Sequence, residues 1–252
     1  MTTWKGFKEL LVVDKIQEDD VTTSLYLKDV DGNALPSYLP GQFITVKVKI
    51  NDNETSKPRA YSLSSKYKGD YYRISIKREE YGAVSPLLCD KVKKGDLLLS
   101  TAPAGKFVLQ DNERAAVFIG GGIGVTPMLA MAEALEGTDR KAHLLYSTRN
   151  SNFHSFQEEI KAISDHYHNV DTKIFYTRPL EGEIEGKDYD VCGRISKEWM
   201  QENLPLDADF YFCGPVPFMK TMYHNLVSLG VSEEHIYYEF FEPGIDITKL
   251  DD

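Results

Sequence analysis

A glycine-rich run, VFIGGGIGVTPMLAM at residues 117–131, is the first place where the residue types suggest chemistry. Glycines let backbone N–H groups approach a phosphate, and the N-terminus of a helix adds partial positive charge. Thr126 is predicted to cap that helix, with Pro127 in its first position. A tight strand-to-helix turn also needs glycine, so the strand before and the helix after are what favour a pyrophosphate site. The candidate residues are Gly121, Gly122, Ile123, Gly124, Val125 and Thr126.

The same run departs from the dinucleotide-binding fingerprint of ordinary dehydrogenases. Pro127 replaces the third glycine of G-x-G-x-x-G. The next strand pattern ends in Ser147, Thr148 and Arg149, where an acidic ribose ligand is expected. Arg149 could receive a 2′-phosphate, which would indicate NADPH, but a solvated surface arginine explains it equally well. The choice between NADH and NADPH is therefore open.

A second strand-to-helix turn lies in YFCGPVPFM, residues 211–219. Gly214 and Pro215 would make the turn and place backbone at the carboxyl edge of the sheet, where open α/β domains hold ligands. Cys213 would lie at the tip of the strand as a small, polarizable side chain. By residue type alone, a buried small hydrophobe is as good an interpretation of Cys213 as a functional role.

The run RAYSLSS, residues 59–65, puts a guanidinium, a phenol and several hydroxyl groups at the foot of a strand-like segment. Taken alone it is an ordinary edge strand, in which Tyr61 packs across strands and Arg59 is solvated. The same groups would also suit a cradle for a cofactor. The surrounding sequence has to decide between these interpretations.

The elements that must position these groups change in type near residue 111. Before it, runs such as QFITVKVKI and YYRISIKRE alternate apolar and polar residues between turn signals, which predicts an antiparallel barrel or sandwich. After it, apolar runs such as AAVFIG and DFYFCG alternate with amphipathic segments of helical length, which is typical of a parallel α/β sheet. We therefore expect two domains, residues 1–110 and 111–252, with LQDNER at 109–114 as the join.

Composition narrows the class of function. A net charge of −10 in 252 residues disfavours nucleic acid and anionic membranes as partners, because phosphate groups attract clustered Lys and Arg. No segment has the length of a membrane span, and the N-terminus does not read as a secretory signal. Three distant cysteines and six histidines without ligand spacing predict neither a disulfide framework nor a metal site. A reduced, cytoplasmic setting is the expectation.

Six strings occur in the order and spacing found in the ferredoxin-NADP reductase superfamily, and the chain most resembles the reductase half of flavohaemoglobins. They are RAYSLSS, YYRISIKREEYGAVSPLLCDKVKKGDLL, PAGKFVL, GGGIGVTPMLAM, YFCGPVPFM and LGVSEEHIYYEFFEPG. The resemblance covers nearly the whole chain. No single string is decisive, but unrelated folds have no reason to order all six in this way.

The resemblance implies a two-domain flavoprotein. An all-β, six-stranded antiparallel Greek-key barrel would bind FAD, and an α/β parallel-sheet domain after it would bind NAD(P)H. In similar proteins the arginine at the place of Arg59 neutralises the flavin pyrophosphate, which its planar donor fork suits better than lysine. Tyr61 would lay its ring against the isoalloxazine, and Ser62 would offer a hydroxyl near the reactive flavin nitrogen. Ala60 is included in the implied FAD site.

Two further segments of the first half are implied in the FAD site. YGAVS, residues 81–85, resembles the family's second phosphate loop, with Gly82, Val84 and Ser85 as its contacts. A plain serine N-cap of the following helix, with Pro86 in its first turn, is compatible with that role. Phe43 stands where flavohaemoglobin-like chains tend to carry tyrosine. It is expected to lie near the flavin or in the apolar core.

The C-terminal string YYEFFEPG carries the last implied contact. In related reductases an aromatic residue of this strand stacks on the flavin face that the nicotinamide must reach, and Phe241 is the candidate. Phe240, Glu242 and Pro243 surround it, although a hydrophobic pair at the end of a strand also explains the two phenylalanines. Glu239 matches an acidic residue that in the family influences the redox poise of the flavin.

The implied reaction is transfer of a hydride from NADH or NADPH to FAD, followed by electron transfer to a separate acceptor. Ser62, Glu239 and Phe241 are the catalytic candidates, and Thr126 and Cys213 are implied to line the nicotinamide slot. Flavohaemoglobin-type reductases generally prefer NADH. Since 252 residues leave no room for a globin or a ferredoxin, we expect a ferredoxin-like, haem or monooxygenase partner. The alternatives are an NAD(P)H:flavin reductase that releases free reduced flavin and, less favoured, a non-catalytic flavin- or nucleotide-binding interaction module.

Overall fold

The chain folds into two units, Met1–Leu109 and Gln110–Asp252, each with its own sheet. The structure is a computed structural model that describes residues 3–51, 53–241 and 247. Within these ranges no helix has both the length and the apolar character needed to cross a membrane.

The first unit is an antiparallel sheet in which β3 alternates buried and more exposed positions, while β2 and β6 are buried over most of their length. Its strands are β1 (Lys8–Gln17), β2 (Thr22–Asp29), β3 (Phe43–Asn51), β4 (Glu54–Thr55), β5 (Arg59–Ser62), β6 (Tyr72–Lys77) and β7 (Leu97–Ser100). They pair in the order β4-β3-β7-β1-β2-β6, and β5 pairs with β3. Alternate residues such as Leu10, Leu25, Ile44 and Ile74 are fully buried and form one apolar core, as the period of two requires.

The ladder of this sheet does not close into the predicted six-stranded barrel. The described part of this unit contains seven strands, because β3 continues into a short hairpin with the two-residue strand β4. Between β5 and β6 the only recorded pairing in the described ranges is an isolated bridge from Leu63 to Ile74. The Ser64 amide also donates to the Arg73 carbonyl oxygen at 2.9 Å. The architecture is therefore barrel-like with one open seam.

The second unit is a parallel sheet with helices between its strands. Its strands are β8 (Ala116–Gly121), β9 (Ala142–Thr148), β10 (Val170–Tyr176), β11 (Val191–Cys192), β12 (Asp209–Cys213) and β13 (Ile236–Tyr238). Its helices are α1 (Val125–Glu133), α2 (Gln157–His166), α3 (Lys197–Asn203) and α4 (Val216–Ser228). Every residue of β8 and β12 is buried, which explains why these strands read as continuous apolar runs.

The order of the sheet, β11-β10-β9-β8-β12-β13, places the two chemical turns side by side. The chain winds outward from β8 through β9 and β10, then returns to the other side of β8 with β12. Cys213 pairs in register with Gly120, so both strands end at the same edge. Ligands of open α/β sheets bind at such a switch point.

Helix α1 begins earlier than predicted. A 3₁₀ turn at Gly122–Gly124 precedes it, and Gly122 has a φ of 53°, which a residue with a Cβ rarely adopts. This turn starts the helix at Val125, so Thr126 lies inside it and Pro127 is its third residue. The Thr126 hydroxyl donates to the Ile123 carbonyl oxygen at 2.9 Å. The prediction that Thr126 caps the helix was therefore wrong.

A buried carboxylate fixes the start of β12. Asp209 is fully buried, and one of its oxygens accepts hydrogen bonds from Asn112 Nδ2 at 2.9 Å and Arg140 Nη2 at 3.3 Å. His235 Nδ1 lies 2.9 Å from the other oxygen. The Arg140 side chain is only 6% exposed, so without Asp209 its charge would be buried and unpaired.

We expect Asp209→Ala to lower the free energy of unfolding by about 3 kcal/mol, since breaking a buried ion pair leaves the remaining charge buried and unpaired. Denaturant unfolding of the full chain measures this. The matched control is Asp165→Asn, which breaks an exposed pair with Lys161 and should leave the unfolding midpoint unchanged. Equal effects of the two substitutions would show that Asp209 has no special structural role.

Candidate functional site

The two glycine turns of the second unit touch backbone to backbone. A Cβ at Gly124 would lie 2.2 Å from the Cys213 carbonyl oxygen and 2.6 Å from the Gly214 amide nitrogen. No side chain fits there, so glycine is required. The predicted residues from Gly121 to Thr126 thus lie together with Cys213, Gly214 and Pro215, and the edge exposes backbone where a phosphate could approach. Their contact with a nucleotide remains a prediction.

Phe218 also belongs to this edge, although the sequence interpretation missed it. A Cβ at Gly121 would lie 2.9 Å from Phe218 Cδ1, and one at Gly214 would lie 2.6 Å from the same atom. The half-buried ring therefore covers both glycines. The signal was available in the string CGPVPF, because it places an aromatic residue in the first turn of α4, directly behind the strand tip.

Cys213 is fully buried at the tip of β12. Burial raises the pKa of its thiol well above the usual value, and the nearby Glu239 carboxylate raises it further. The protonated thiol is a poor nucleophile. Cys213 can therefore line a slot and pack against a ring, but it does not supply covalent chemistry.

Glu239 follows β13 directly, and burial raises the pKa of its carboxyl group to about 7. Phe240 packs against the core of the second unit, with its ring centroid 5.9 Å from that of Tyr238. Phe241 is 44% exposed and thus available to a ligand. The difference in exposure distinguishes Phe240 from Phe241, which the sequence alone could not do. Glu242 and Pro243, also predicted as contacts, lie outside the described residues.

Arg149 lies at the carboxyl end of β9, and two other arginines follow the next strands at the same edge of the sheet. It is exposed, and its guanidinium carbon is 4.8 Å from the centre of the Phe153 ring. Arg178 follows β10, and its amide donates to the Arg149 carbonyl oxygen at 2.9 Å. Arg194 follows β11, the next strand along. Sequence reasoning missed Arg178 and Arg194, because only the strand order brings them to the same edge.

In the first unit, β5 carries the run RAYS. Its register with β3 puts Phe43 opposite Ser62 and Ile44 opposite Tyr61. Ser62 is 4% exposed, and its hydroxyl makes no hydrogen bond to any residue that the structure describes. An unsatisfied buried hydroxyl costs on the order of 1–3 kcal/mol, so it calls for an explanation such as a bound ligand.

The neighbours of Ser62 differ in exposure. Arg59 and Ala60 are exposed, and among the described residues Arg59 Nη1 donates to the adjacent Pro58 carbonyl oxygen alone, at 2.9 Å. The Tyr61 ring packs against the apolar core, and burial raises the pKa of its phenol, which therefore stays protonated. Arg59 thus keeps donors for a ligand phosphate, while Tyr61 presents a fixed ring.

The predicted phosphate loop is tight and held from within. A Cβ at Gly82 would lie 2.6 Å from Ser85 Oγ and 3.1 Å from the Glu79 carbonyl oxygen. Ser85 Oγ accepts a hydrogen bond from the Glu79 amide at 3.1 Å, and Val84 is buried. The helical turn that follows, Leu87–Lys91, has no side-chain cap. Ser85 therefore closes the loop and does not cap the helix that follows, so the alternative prediction of a serine N-cap was wrong.

Phe43 is half-buried against Gly105. A Cβ at Gly105 would lie 3.1 Å from two carbons of the Phe43 ring. The ring is therefore packed against the backbone of Gly105. The Phe43 amide donates to the Ala104 carbonyl oxygen, and the Phe43 carbonyl oxygen accepts from the Ala104 amide, at 2.9 Å each. This packing supports a structural role for Phe43, and its contact with a flavin remains a prediction.

Two family models match the chain, one to each unit. Residues 10–109 match the oxidoreductase FAD-binding domain, and residues 118–224 match the oxidoreductase NAD-binding domain. The first match includes β5 and the Gly82 loop, and the second includes both glycine turns.

Individual relatives agree with the models. A flavohaemoprotein of Bacillus anthracis is 43% identical over 97% of this chain, which spans 63% of the length of that relative. The flavohaem-like FAD/NAD-binding domain of nitric oxide dioxygenase from Vibrio cholerae has a TM-score of 0.84 and 32% identity, over 95% of this chain and 100% of that one. Phthalate dioxygenase reductase has a TM-score of 0.74 and 26% identity, over 93% of this chain and 68% of that one.

The side chains and turns present fit the two dinucleotides that these domains bind. The buried Ser62 hydroxyl has no hydrogen-bond partner among the described residues, and a flavin heteroatom would give it one. The Gly82 loop and the Gly121–Gly124 turn are cradles that a Cβ would fill. A dinucleotide bound in each unit would supply the polar partner for Ser62 and would place phosphates at the two glycine cradles.

We expect Glu239→Gln to remove a pH-dependent cost of folding. Between about pH 4.5 and pH 7 the unfolded carboxyl is ionised while the folded one keeps its proton, so stability of the natural chain falls as pH rises and then levels off. The stability advantage of Glu239→Gln should grow by up to about 3 kcal/mol from pH 5 to pH 8 in denaturant unfolding. Glu202→Gln, on the exposed face of α3, is the control. An advantage independent of pH would contradict the raised pKa.

Proposed function

The chain belongs to the flavohaemoprotein-type family of FAD- and NAD-binding reductases, and from this premise we propose that it transfers electrons from a reduced nicotinamide dinucleotide, through FAD, to a separate acceptor protein. The observation that supports this most is the buried Ser62 hydroxyl, which has no hydrogen-bond partner among the described residues and lies on the strand that carries Arg59 and Tyr61. When bound, FAD supplies the conversion between hydride and single-electron transfer.

In the first unit the chain's task is to bind and orient. Arg59 has free donors for the pyrophosphate, and a charge-assisted hydrogen bond there is worth about 1.5–3 kcal/mol. Tyr61 and Ser62 would hold the flavin through one packed ring and one buried hydroxyl. The Gly82 loop, closed by Ser85, offers backbone to the same pyrophosphate.

In the second unit the glycine edge would hold the nicotinamide dinucleotide, with the Gly122–Gly124 turn before α1 available to its phosphates. Thr126 and Cys213 line the slot, and neither competes chemically, because the Thr126 hydroxyl is engaged by Ile123 and the Cys213 thiol is protonated. Glu239 holds or releases a proton near neutral pH. Phe241, whose ring is exposed, is the residue that would have to move aside for the nicotinamide.

The acceptor we favour is a haem or iron–sulfur protein. Relatives named as flavohaemoproteins, and a reductase described as passing electrons from pyridine nucleotides to a [2Fe-2S] centre, support this choice. A net charge of −10 would steer a partner with a basic face toward the chain. The cytoplasmic setting stays a prediction.

An anaerobic titration tests the proposal. The purified chain should be yellow, keep its flavin through gel filtration, and bleach on stoichiometric addition of NADH or NADPH. Loss of the flavin during gel filtration with activity restored by added flavin would support a flavin reductase instead. Yellow protein that neither nicotinamide bleaches would be a binding module, and the proposal would fail.

We further propose that the second unit accepts NADPH. Arg149, Arg178 and Arg194 end three neighbouring strands at one edge, and none of them makes an ion pair among the described residues. Such a group of guanidinium donors suits a phosphate monoester, which NADPH carries on its ribose and NADH lacks.

Replacing Arg149 or Arg178 with Gln should lower kcat/KM for NADPH by about 10-fold or more, because each removes a charge-assisted hydrogen bond. The value for NADH should stay within about twofold, since every other contact is kept. Lys187→Gln, an exposed cation elsewhere in the second unit, is the control for net charge. Equal losses for both nicotinamides would assign the arginines another role.

A further inference from the structure

The carboxylate of Glu183 joins the two loops that carry Arg149 and Arg178. One of its oxygens accepts a hydrogen bond from the Ser151 amide at 3.0 Å, in the loop after β9. The other accepts from the Leu180 amide at 2.7 Å, in the loop after β10. The Glu183 amide donates back to the Leu180 carbonyl oxygen at 3.1 Å, which closes a tight turn. A single side chain therefore ties together the segments from which two of the arginines extend.

Both oxygens of this carboxylate are needed for the tie. A carboxylate accepts at each of its two oxygens, whereas the side-chain amide of glutamine has only one acceptor atom. Partial burial works to raise the pKa of the Glu183 carboxyl group, but the hydrogen bonds from Ser151 and Leu180 hold that pKa below its ordinary value. The carboxylate is therefore ionised at neutral pH, and both of its bonds are charge-assisted.

Asn150 makes a second connection between the same loops. It is 7% exposed, and its Nδ2 donates to the Arg178 carbonyl oxygen at 3.0 Å. Its Oδ1 accepts from the Asn152 amide at 3.2 Å, within its own loop. The main chains also meet directly, because the Arg178 amide donates to the Arg149 carbonyl oxygen at 2.9 Å. The backbone that carries both arginines is thus held by polar contacts at several points.

The second of these loops has little apolar packing to hold it. Every residue from Leu180 to Asp188 is exposed except Glu183, which is half-buried. Leu180 and Ile184, the large apolar side chains of this stretch, are 41% and 54% exposed. Segments with few buried apolar contacts open easily, so the position of this loop depends on its hydrogen bonds.

We propose that Glu183 is a positioning residue for the ribose phosphate of NADPH, and that it fixes the spacing of Arg149 and Arg178 so that both guanidinium groups reach one phosphate. This inference rests on the proposed function, because it requires NADPH to bind at the edge that carries the arginines. Two planar donor groups hold one phosphate only where their separation matches its oxygens. The charge of Glu183 alone would oppose the binding of an anion. The tie and the charge therefore act in opposite directions, and an experiment can tell them apart.

Calorimetric titration of the full chain with 2′-phospho-ADP-ribose and with ADP-ribose makes this test. The two ligands differ by one phosphate monoester, and neither takes part in hydride transfer. Glu183→Ala should lower the preference for the phosphorylated ligand by about 5-fold or more, and Glu183→Gln, which keeps one acceptor atom, by less. Asn150→Ala should act in the same direction. Affinity for ADP-ribose should stay within about twofold, and the loss should persist at high salt, which screens an effect of charge.

Glu181→Gln is the matched control, because it removes the same charge from an exposed position of the same loop. A preference that rises in Glu183→Ala would show that Glu183 acts through its charge, and an unchanged preference would show that it has no role here. Either result overturns the proposal. Equal binding of both ligands by the natural chain would overturn the NADPH assignment together with this inference, and binding of neither would overturn the proposed function. Retained ADP-ribose binding shows that a variant is folded.

Discussion

The candidate nucleotide site at the carboxyl edge of the parallel sheet depends on one constraint, the contact between Gly124 and the Cys213 carbonyl group. Two strands that are distant in sequence end in register, and the turns after them meet with no room for a side chain. Backbone amides are thereby left at the surface of a switch point, where a phosphate can reach them. Because the contact is between main-chain atoms, it fixes the edge independently of side-chain rotamers.

Both units place a polar side chain where water is scarce. Ser62 has a buried hydroxyl with no hydrogen-bond partner in the part of the chain that the structure describes, and Glu239 has a carboxyl group whose pKa burial raises to about 7. Each arrangement costs folding free energy, and such costs persist mainly where they serve a function. A hydroxyl that can turn toward a ligand and a carboxyl that can exchange a proton near neutral pH agree with the roles proposed for Ser62 and Glu239.

Sequence reasoning reached the elements whose signals are local, such as the continuous apolar runs of β8 and β12 and the glycines between strand and helix. It failed where the answer depends on neighbours in space. The early start of α1 follows from the φ of Gly122, which composition does not report. Arg178 reaches the edge that carries Arg149 only through the order of the strands. The open seam beside β5 depends on pairing geometry that a strand pattern does not encode.

The parallel sheet has very short strands at both of its margins. β11 contributes two residues and β13 three, while the strands between them have five to seven. A second polypeptide that tried to extend this sheet would therefore find only a couple of backbone groups to pair with. The fold thus keeps a long, strongly apolar strand set in its interior without offering it as a template for intermolecular aggregation.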